Sequence, residues 1–368
     1  VANGGTLPNG SPFGADFISF WVAAREALAG NPIVAYSRET FEPLQVALFP
    51  DAGHFAFFYP PHYQMMLMPF GTLPFYGALI MWQVVTFALV GWVIWRISGN
   101  KALAVVLALA FPAAFLNAAH GQNAFLSAGL FAAGLYLLPS RPVLAGVMFG
   151  VLTFKPQLGL LIPFALLAAW QWRAIVSAGV TTFLLAGASA LVLGSAVWPA
   201  FLAQGSAAMD VLHEGTVGWH KLISVYSGLR GFGLPYGVAM GAHVMIALGV
   251  AATVIMAWRP QSGISHPMRC AMLMTGALIV TPFGLNYDLY LLAPAGAFFL
   301  AAVDWSEMDG IERNTVIAGF VLPVTVLLTM ASGYSLAAWT VPIVFVALAR
   351  RAFEPDAVPG NRSIAPAE

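Results

Sequence analysis

Residues 142–170, PVLAGVMFGVLTFKPQLGLLIPFALLAAW, hold a single charge in an otherwise apolar run, Lys155, with Pro156 directly after it. As one helix the run would measure about 43 Å at 1.5 Å per residue, too long for a hydrocarbon core of about 30 Å. The alternative is two arms of about 20 Å each that meet at Lys155-Pro156, and are then too short to reach across alone. The basic residues choose between them. With two arms, Arg96, Lys101, Arg141, Arg173, Arg259, Arg269, Arg313, Arg350, Arg351 and Arg362 share one face. Arg25, Arg38, Lys155, Lys221 and Arg230 take the other, which divides the 15 Lys and Arg ten against five. Cytoplasmic loops carry the excess of Lys and Arg, so the ten mark the cytoplasm. One long span would instead carry Arg173, Arg259, Arg269 and the Arg350-Arg351 pair outside.

A topology of this kind is called for by the composition. Of 368 residues 60% are hydrophobic and 8% charged, and the mean hydropathy is +0.82. Soluble domains are roughly 45–50% apolar. The 36 Gly and 25 Pro would interrupt soluble helices, but packed membrane helices tolerate both because neighbouring groups satisfy the freed backbone. No ten-residue alternation of a transmembrane barrel is present. The expected fold is an all-α polytopic membrane protein of about eleven membrane helices, some short or re-entrant. They fall at 74–97, 102–118, 122–138, 142–154, 157–171, 174–194, 237–257, 268–282, 286–303, 313–331 and 335–349.

Residues 1–351 read as one membrane-embedded domain. Residues 1–73 and 195–236 form external loops, and 352–368 a cytoplasmic tail. The first loop carries a helix at 17–29 whose apolar stripe, Phe17, Phe20, Trp21, Ala24 and Leu28, suggests that it lies in the interface plane. Zero net charge and a single cysteine, Cys270, point to neither nucleic acid nor disulfides. No Walker loop, GxGxxG before a helix, HExxH or GxSxG occurs, which leaves nucleotide, zinc-protease and serine-hydrolase chemistry without support. No cofactor is expected, and with no compact carboxylate cluster no metal either.

Ionisable groups at membrane depth are costly and tend to mark a cavity or a partner. Here polar groups gather at the outer ends of helices: Asp16, Tyr59, His62, His120, Gln122, Asn123, Lys155, Gln157, His220, Lys221, Arg230, Asn286, Tyr287 and Asp288. Asp16 stands at the N-cap of its helix, where its side chain would accept orphan amides, or it is a working carboxylate. Asn123 and Asn286 or Asp288 equally suit caps. Lys155 is either a lysine snorkelling from a helix end or a recessed cation for an anionic headgroup or a phosphorylated leaving group. The YPPHY run (59–63) is stiff, because each proline fixes φ and extends the residue before it. The 213–235 segment, with His220, Lys221 and Arg230, is a solvated loop or a lid over a lipid phosphate. His243, Cys270 and the methionines read as packing.

Five pieces, GADFISFWVAAREALAGNP (14–32), FFYPPHYQMMLMP (57–69), HGQNAFLSAGLFAAGLYL (120–137), GVMFGVLTFKPQLGLLIP (146–163) and TPFGLNYDLYLLAP (281–294), resemble glycosyltransferase family 87. They occur in the family's order. That family belongs to the GT-C type and contains polyprenyl-phosphate-mannose-dependent α-mannosyltransferases. The resemblance implies a GT-C-like bundle in the inner (plasma) membrane with its active site facing outward, taking a sugar from a polyprenyl-phosphate donor. A lipid or glycan would be the acceptor. Asp16 occupies the place of the family's catalytic acid in the first external loop, and Lys155, Lys221, Arg230 and His220 would contact the donor phosphate. The remaining outer polar residues would line the substrate cavity. The resemblance also implies a first transmembrane helix before residue 1, and histidine in some members where this chain has Asn286-Tyr287-Asp288. The competing class is a secondary transporter or lipid flippase, which should show internal repeats and polar, broken helices near mid-membrane; no repeat is seen by inspection, and the polar groups favour one face.

Overall fold

The computed structural model describes residues 12–50, 53–205, 210, 213–216, 218–306, 308, 310–321 and 334–354. Among them the regular structure is helical throughout, with an isolated β-type bridge between Leu222 and Leu285. The first half runs α1 (Phe17–Leu28), α2 (Arg38–Leu48), α3 (Pro61–Gly71), α4 (Phe75–Ser98), α5 (Lys101–Leu109), α6 (Pro112–His120), α7 (Ala124–Leu137) and α8 (Pro142–Val151). Then follow α9 (Ile162–Ala168), α10 (Trp172–Leu193), α11 (Val197–Ala203), α12 (Val225–Gly231), α13 (Tyr236–Trp258), α14 (His266–Val280), α15 (Leu292–Ala302), α16 (Gly310–Val321) and α17 (Ala337–Phe353).

Three helices, α4, α10 and α13, are long and apolar enough to cross a bilayer in one piece, and α5 with α6 forms a fourth candidate bent by 58°. The bend falls where Phe111, forced extended by Pro112, cannot continue the helix. The other expected spans are built differently. The 122–138, 157–171 and 268–282 segments hold helices too short to span alone, and 286–303 opens on a 3₁₀ stretch, Asn286–Leu291, before α15. Both α7 and α14 are apolar around nearly their whole circumference and buried along nearly their whole length, which makes them pillars of the core. The last two expected spans fall on α16 and α17, and residues 322–331 of the first of these spans lie outside the described residues.

At Lys155 the helix is broken. α8 passes into a 3₁₀ turn, Leu152–Phe154, then Lys155 at φ −130° and ψ 69°, then a second 3₁₀ turn from Pro156. The near arm is held by α10, because Gly146 and Gly150 leave no room for a Cβ against Ala174, Ser177 and Thr181, a small-xxx-small contact. The far arm ends in a Schellman turn. The Gln171 amide donates to the Leu166 carbonyl at 2.9 Å and the Trp170 amide to Leu167 at 3.1 Å. Glycine usually fills the left-handed position of such a turn, yet here it is Trp170, at φ 56°. The strain is roughly 1–2 kcal/mol for an L-residue.

The helix of the first loop, α1, is enclosed by protein on more sides than its stripe suggests: Phe17 through Ala24 and Ala27 are buried, and only Arg25, Leu28 and the edge of Glu26 reach out. Ile18, Val22, Ala23 and Ala27 fill the circumference that the Phe17-Phe20-Trp21 stripe leaves, so the helix is apolar on nearly every side and packs as core. It seats against α3, where the buried Gln64 amide donates to the Ala23 and Pro32 carbonyls, each at 3.1 Å.

Candidate active site

The site is assembled from five separate stretches of chain. Its first wall is a backbone seam: the Gly14 amide donates to Ala119 at 2.8 Å and the Asp16 amide to His120 at 3.0 Å. Two glycines permit that approach. Gly121 adopts φ +71°, and a Cβ on it would fall 2.6 Å from the Phe17 Cβ and 3.3 Å from the Gly14 Cα. Gly14, at φ +78°, is closed in against Leu79. The turn at the end of α6 is thereby locked onto the turn at the head of α1.

Asp16 makes no side-chain cap, so that reading is corrected. Its backbone is already helical (φ −69°, ψ −27°), which turns the carboxylate away from the first-turn amides. Oδ2 instead accepts a 2.9 Å hydrogen bond from the Gln122 amide nitrogen, and Oδ1 lies 3.8 Å from the His120 Nδ1. Both Asp16 and His120 keep about a fifth of their side chains exposed. The aromatic face beside Asp16 is the floor of this site. Phe20 meets Tyr59 and Tyr63 edge-on at 5.3 and 5.5 Å, and Tyr63 stacks on Phe154 at 4.7 Å.

From Gln122 the polar contacts continue inward. Its Oε1 accepts from the Tyr59 hydroxyl at 3.4 Å and from the Asn123 amide at 3.3 Å. Burial, with the Asp288 and Asp16 charges adding to it, pushes the Tyr59 phenol up, so it stays protonated and donates. Asn123 does not cap α7 either. Its side chain bridges, donating to the Tyr63 hydroxyl at 3.3 Å and accepting from Lys155 Nζ at 3.1 Å. Lys155 forms an ion pair with Asp288, both side chains almost wholly buried, and its ammonium lies 4.9 Å from the centre of the Tyr287 ring. The other Asp288 oxygen accepts the Leu285 amide at 3.2 Å, a back-bond that holds the 3₁₀ stretch on which Asn286 and Tyr287 are also buried.

The remaining expected residues stand apart from this network. Gln157 is half-buried on the next turn and makes no hydrogen bond to it. His62 lies on another face of α3, buried, with neither ring nitrogen hydrogen-bonded, its ring over Trp198 at 6.3 Å. His220 and Lys221 share a short 3₁₀ turn, Trp219–Lys221. Leu222 pairs with Leu285 beside them, and the Ile223 amide donates to Gly284 at 3.0 Å. This seam sets the exposed Lys221 next to the segment that carries Asp288. Arg230 is turned into its own segment, with donations to Leu234 and His213 carbonyls at 2.9 and 3.1 Å and its guanidinium over Trp219.

Two supporting residues were not singled out from sequence. Asn117 caps α7 from the preceding helix, its Oδ1 accepting the Ala124 amide at 2.8 Å, and is itself bonded to Gln83 at 3.3 Å. Tyr63, in the first turn of α3, lies with its ring 4.8 Å from that of Tyr59. Tyr63 closes the stiff YPPHY run already read from sequence; Asn117 offered no signal, being seven residues from the amide it holds.

No curated protein matches the chain, and no solved structure does. The family model for glycosyltransferase family 87 matches residues 57–282, well over half of the chain. That stretch includes Tyr59, His62, His120, Gln122, Asn123 and Lys155, and stops short of Asp16 and Asp288 on either side. Matched over that length, and with Asn123 and Lys155 bonded to one another inside it, the chain belongs to glycosyltransferase family 87 and is a glycosyltransferase.

Proposed function

We propose that the chain moves a sugar, mannose by analogy with its family, from a polyprenyl-phosphate donor to a hydroxyl of a lipid or glycan. The reaction takes place at the non-cytoplasmic face of the plasma membrane, with Asp16 as general base. The observation that supports this reading is the polar chain running from the part-exposed Asp16 carboxylate through Gln122 and Asn123 to the buried Lys155-Asp288 pair.

Oδ2 of Asp16 is engaged by Gln122, which leaves Oδ1 to meet an acceptor hydroxyl. As Oδ1 takes the hydroxyl proton, the acceptor oxygen bonds to the anomeric carbon. The bond from that carbon to the phosphate oxygen breaks, and its electron pair leaves with the carrier phosphate. A fixed carboxylate in reach of the proton is worth about 10²–10⁴-fold in rate. The departing phosphate gathers negative charge, and a preorganised cation stabilises it. Lys155 is the cation in this network, and phosphate oxygens compete with Asp288 for its ammonium. Lys221, exposed beside the Leu222-Leu285 seam, is the second. Arg230, its guanidinium held by two carbonyls of its own segment, shapes that segment, and His220 borders it.

The test is transfer from polyprenyl-phosphate mannose to an alkyl mannoside by the purified chain in lipid nanodiscs. Asp16→Asn preserves shape and a hydrogen-bond acceptor for Gln122. It is expected to lower kcat by about 10²–10⁴-fold with donor KM little changed. Transfer at the unsubstituted rate would remove Asp16 from the chemistry.

A further inference from the structure

At the other end of the bundle, the ends of α9 and α13 enclose a groove of about 500 Å³ lined by Phe164, Leu167, Trp170, Ile255, Arg259 and Gln261. α13 starts just past the segment tied to Leu285 and ends at Trp258, a rise of about 33 Å at 1.5 Å per residue. The groove therefore lies at the far ends of α9 and α13 from the seam that sets Lys221 beside the Asp288 segment.

Three features of the groove belong together. One side of it is apolar, with Phe164 and Leu167 exposed. It ends in a cation: the exposed Arg259 guanidinium makes no hydrogen bond or ion pair among the described residues. Its rim is Trp170, two-thirds exposed and held in the left-handed slot of the α9 Schellman turn, where glycine would sit without strain. Its indole meets Trp172 edge-on at 6.0 Å and still leaves its outer face open over the groove. A strained, solvent-facing aromatic at the mouth of a cavity points to a ligand that the ring covers.

We propose that this groove binds a bilayer phospholipid with an anionic headgroup. Arg259 takes the phosphate, Gln261 donates to the headgroup, Trp170 covers the glycerol region, and Phe164, Leu167 and Ile255 carry the first acyl carbons. The groove opens at the end of the membrane-length α13 and beside the start of α10, the level at which headgroups lie and at which Trp and Arg anchor. A ligand apolar along one end and anionic at the other satisfies both the walls and the cation. A free anion satisfies the cation alone.

The test is native mass spectrometry of the full chain in detergent, titrated with dioleoylphosphatidylglycerol or dioleoylphosphatidylcholine, with thermal stability measured in parallel. The expected result is a saturable phosphatidylglycerol adduct several-fold tighter than that of phosphatidylcholine. Arg259→Gln weakens it about five-fold, the worth of one basic residue at an anionic surface. Trp170→Gly gives the signature: the lipid-free chain melts higher because the turn is relieved, while phosphatidylglycerol binds less tightly. Equal binding of the two lipids, or unchanged binding in both variants, would overturn the proposal. So would full occupancy by inorganic phosphate at the same concentration, or by polyprenyl phosphate at far lower concentration than phosphatidylglycerol. None of these outcomes depends on sugar transfer.

Discussion

Lys155 and Asp288 lie 133 positions apart and meet with almost no exposure on either side chain. Two charges brought out of water are stabilised only if each answers the other and the spare valences are filled. Asn123 takes a second Lys155 proton and the Leu285 amide fills the second Asp288 oxygen, while the ammonium also lies 4.9 Å from the Tyr287 ring. Removing one partner therefore strands a buried charge. Lys155→Met is expected to cost about 3–5 kcal/mol, and the double variant Lys155→Met with Asp288→Leu to recover most of that loss. Thermal melts and denaturant titrations of the purified single and double variants measure it. A single variant as stable as the unsubstituted chain would mean that the two side chains do not hold each other. The pairing itself was not legible in sequence, which gathered both residues at one boundary but had no means of setting their separation. What could be read was Lys155 at a break, since a lone charge followed by proline in an apolar run is a local signal.

The same division between local and tertiary information runs through the elements. The break between α8 and α9 and the four candidate spans are visible from proline positions and apolar runs. The place of α1 was not, because a stripe of large residues suggests a surface helix until the small apolar residues between them are counted as filling the remaining faces. Between cap and working side chain, residue type could not decide. Asp16 and Asn123 precede helices and qualify by residue type, yet both are drawn into the polar network, and Asn117 from the previous helix supplies the α7 cap. The turn that makes this possible rests on Gly121. Gly121→Ala places a Cβ against Phe17 and Gly14 in a left-handed conformation. The expected cost is about 2–4 kcal/mol from strain and overpacking together, with a fall in transfer activity because His120 and Gln122 are carried by the same turn. Gly30→Ala is the comparison, with φ +86° but no atom within 4 Å of the added carbon, and should cost only about 1–2 kcal/mol. Equal stability losses in the two variants would show that the seam between α1 and α6 contributes nothing.

At the scale of the whole molecule, pH acts through histidines that folding removes from water. Burial pushes the His62 imidazole from its usual 6.5 down to about 4, and it pushes His54 and His220 in the same direction. His62 is the strongest case because neither ring nitrogen is hydrogen-bonded and its nearest ring neighbour is Trp198. In the unfolded chain these groups protonate near 6.5, whereas in the folded chain His62 resists until about 4. Between those values the unfolded state binds more protons, so stability rises with pH and is lost as pH falls through that window. The shift on His62 is worth at most about 3 kcal/mol at pH 4, and nothing above about pH 7. The melting temperature in detergent is therefore expected to be flat from pH 8 to 7 and to fall steadily from pH 6.5 to 4.5. His62→Phe keeps the ring stack on Trp198 while removing the titrating group, so its melting curve should lose a large part of that slope, with the remainder left to the other groups that titrate in this range. A variant whose melting temperature falls with pH as steeply as that of the unsubstituted chain would mean that His62 already protonates in the folded bundle, and that the space around its ring admits water.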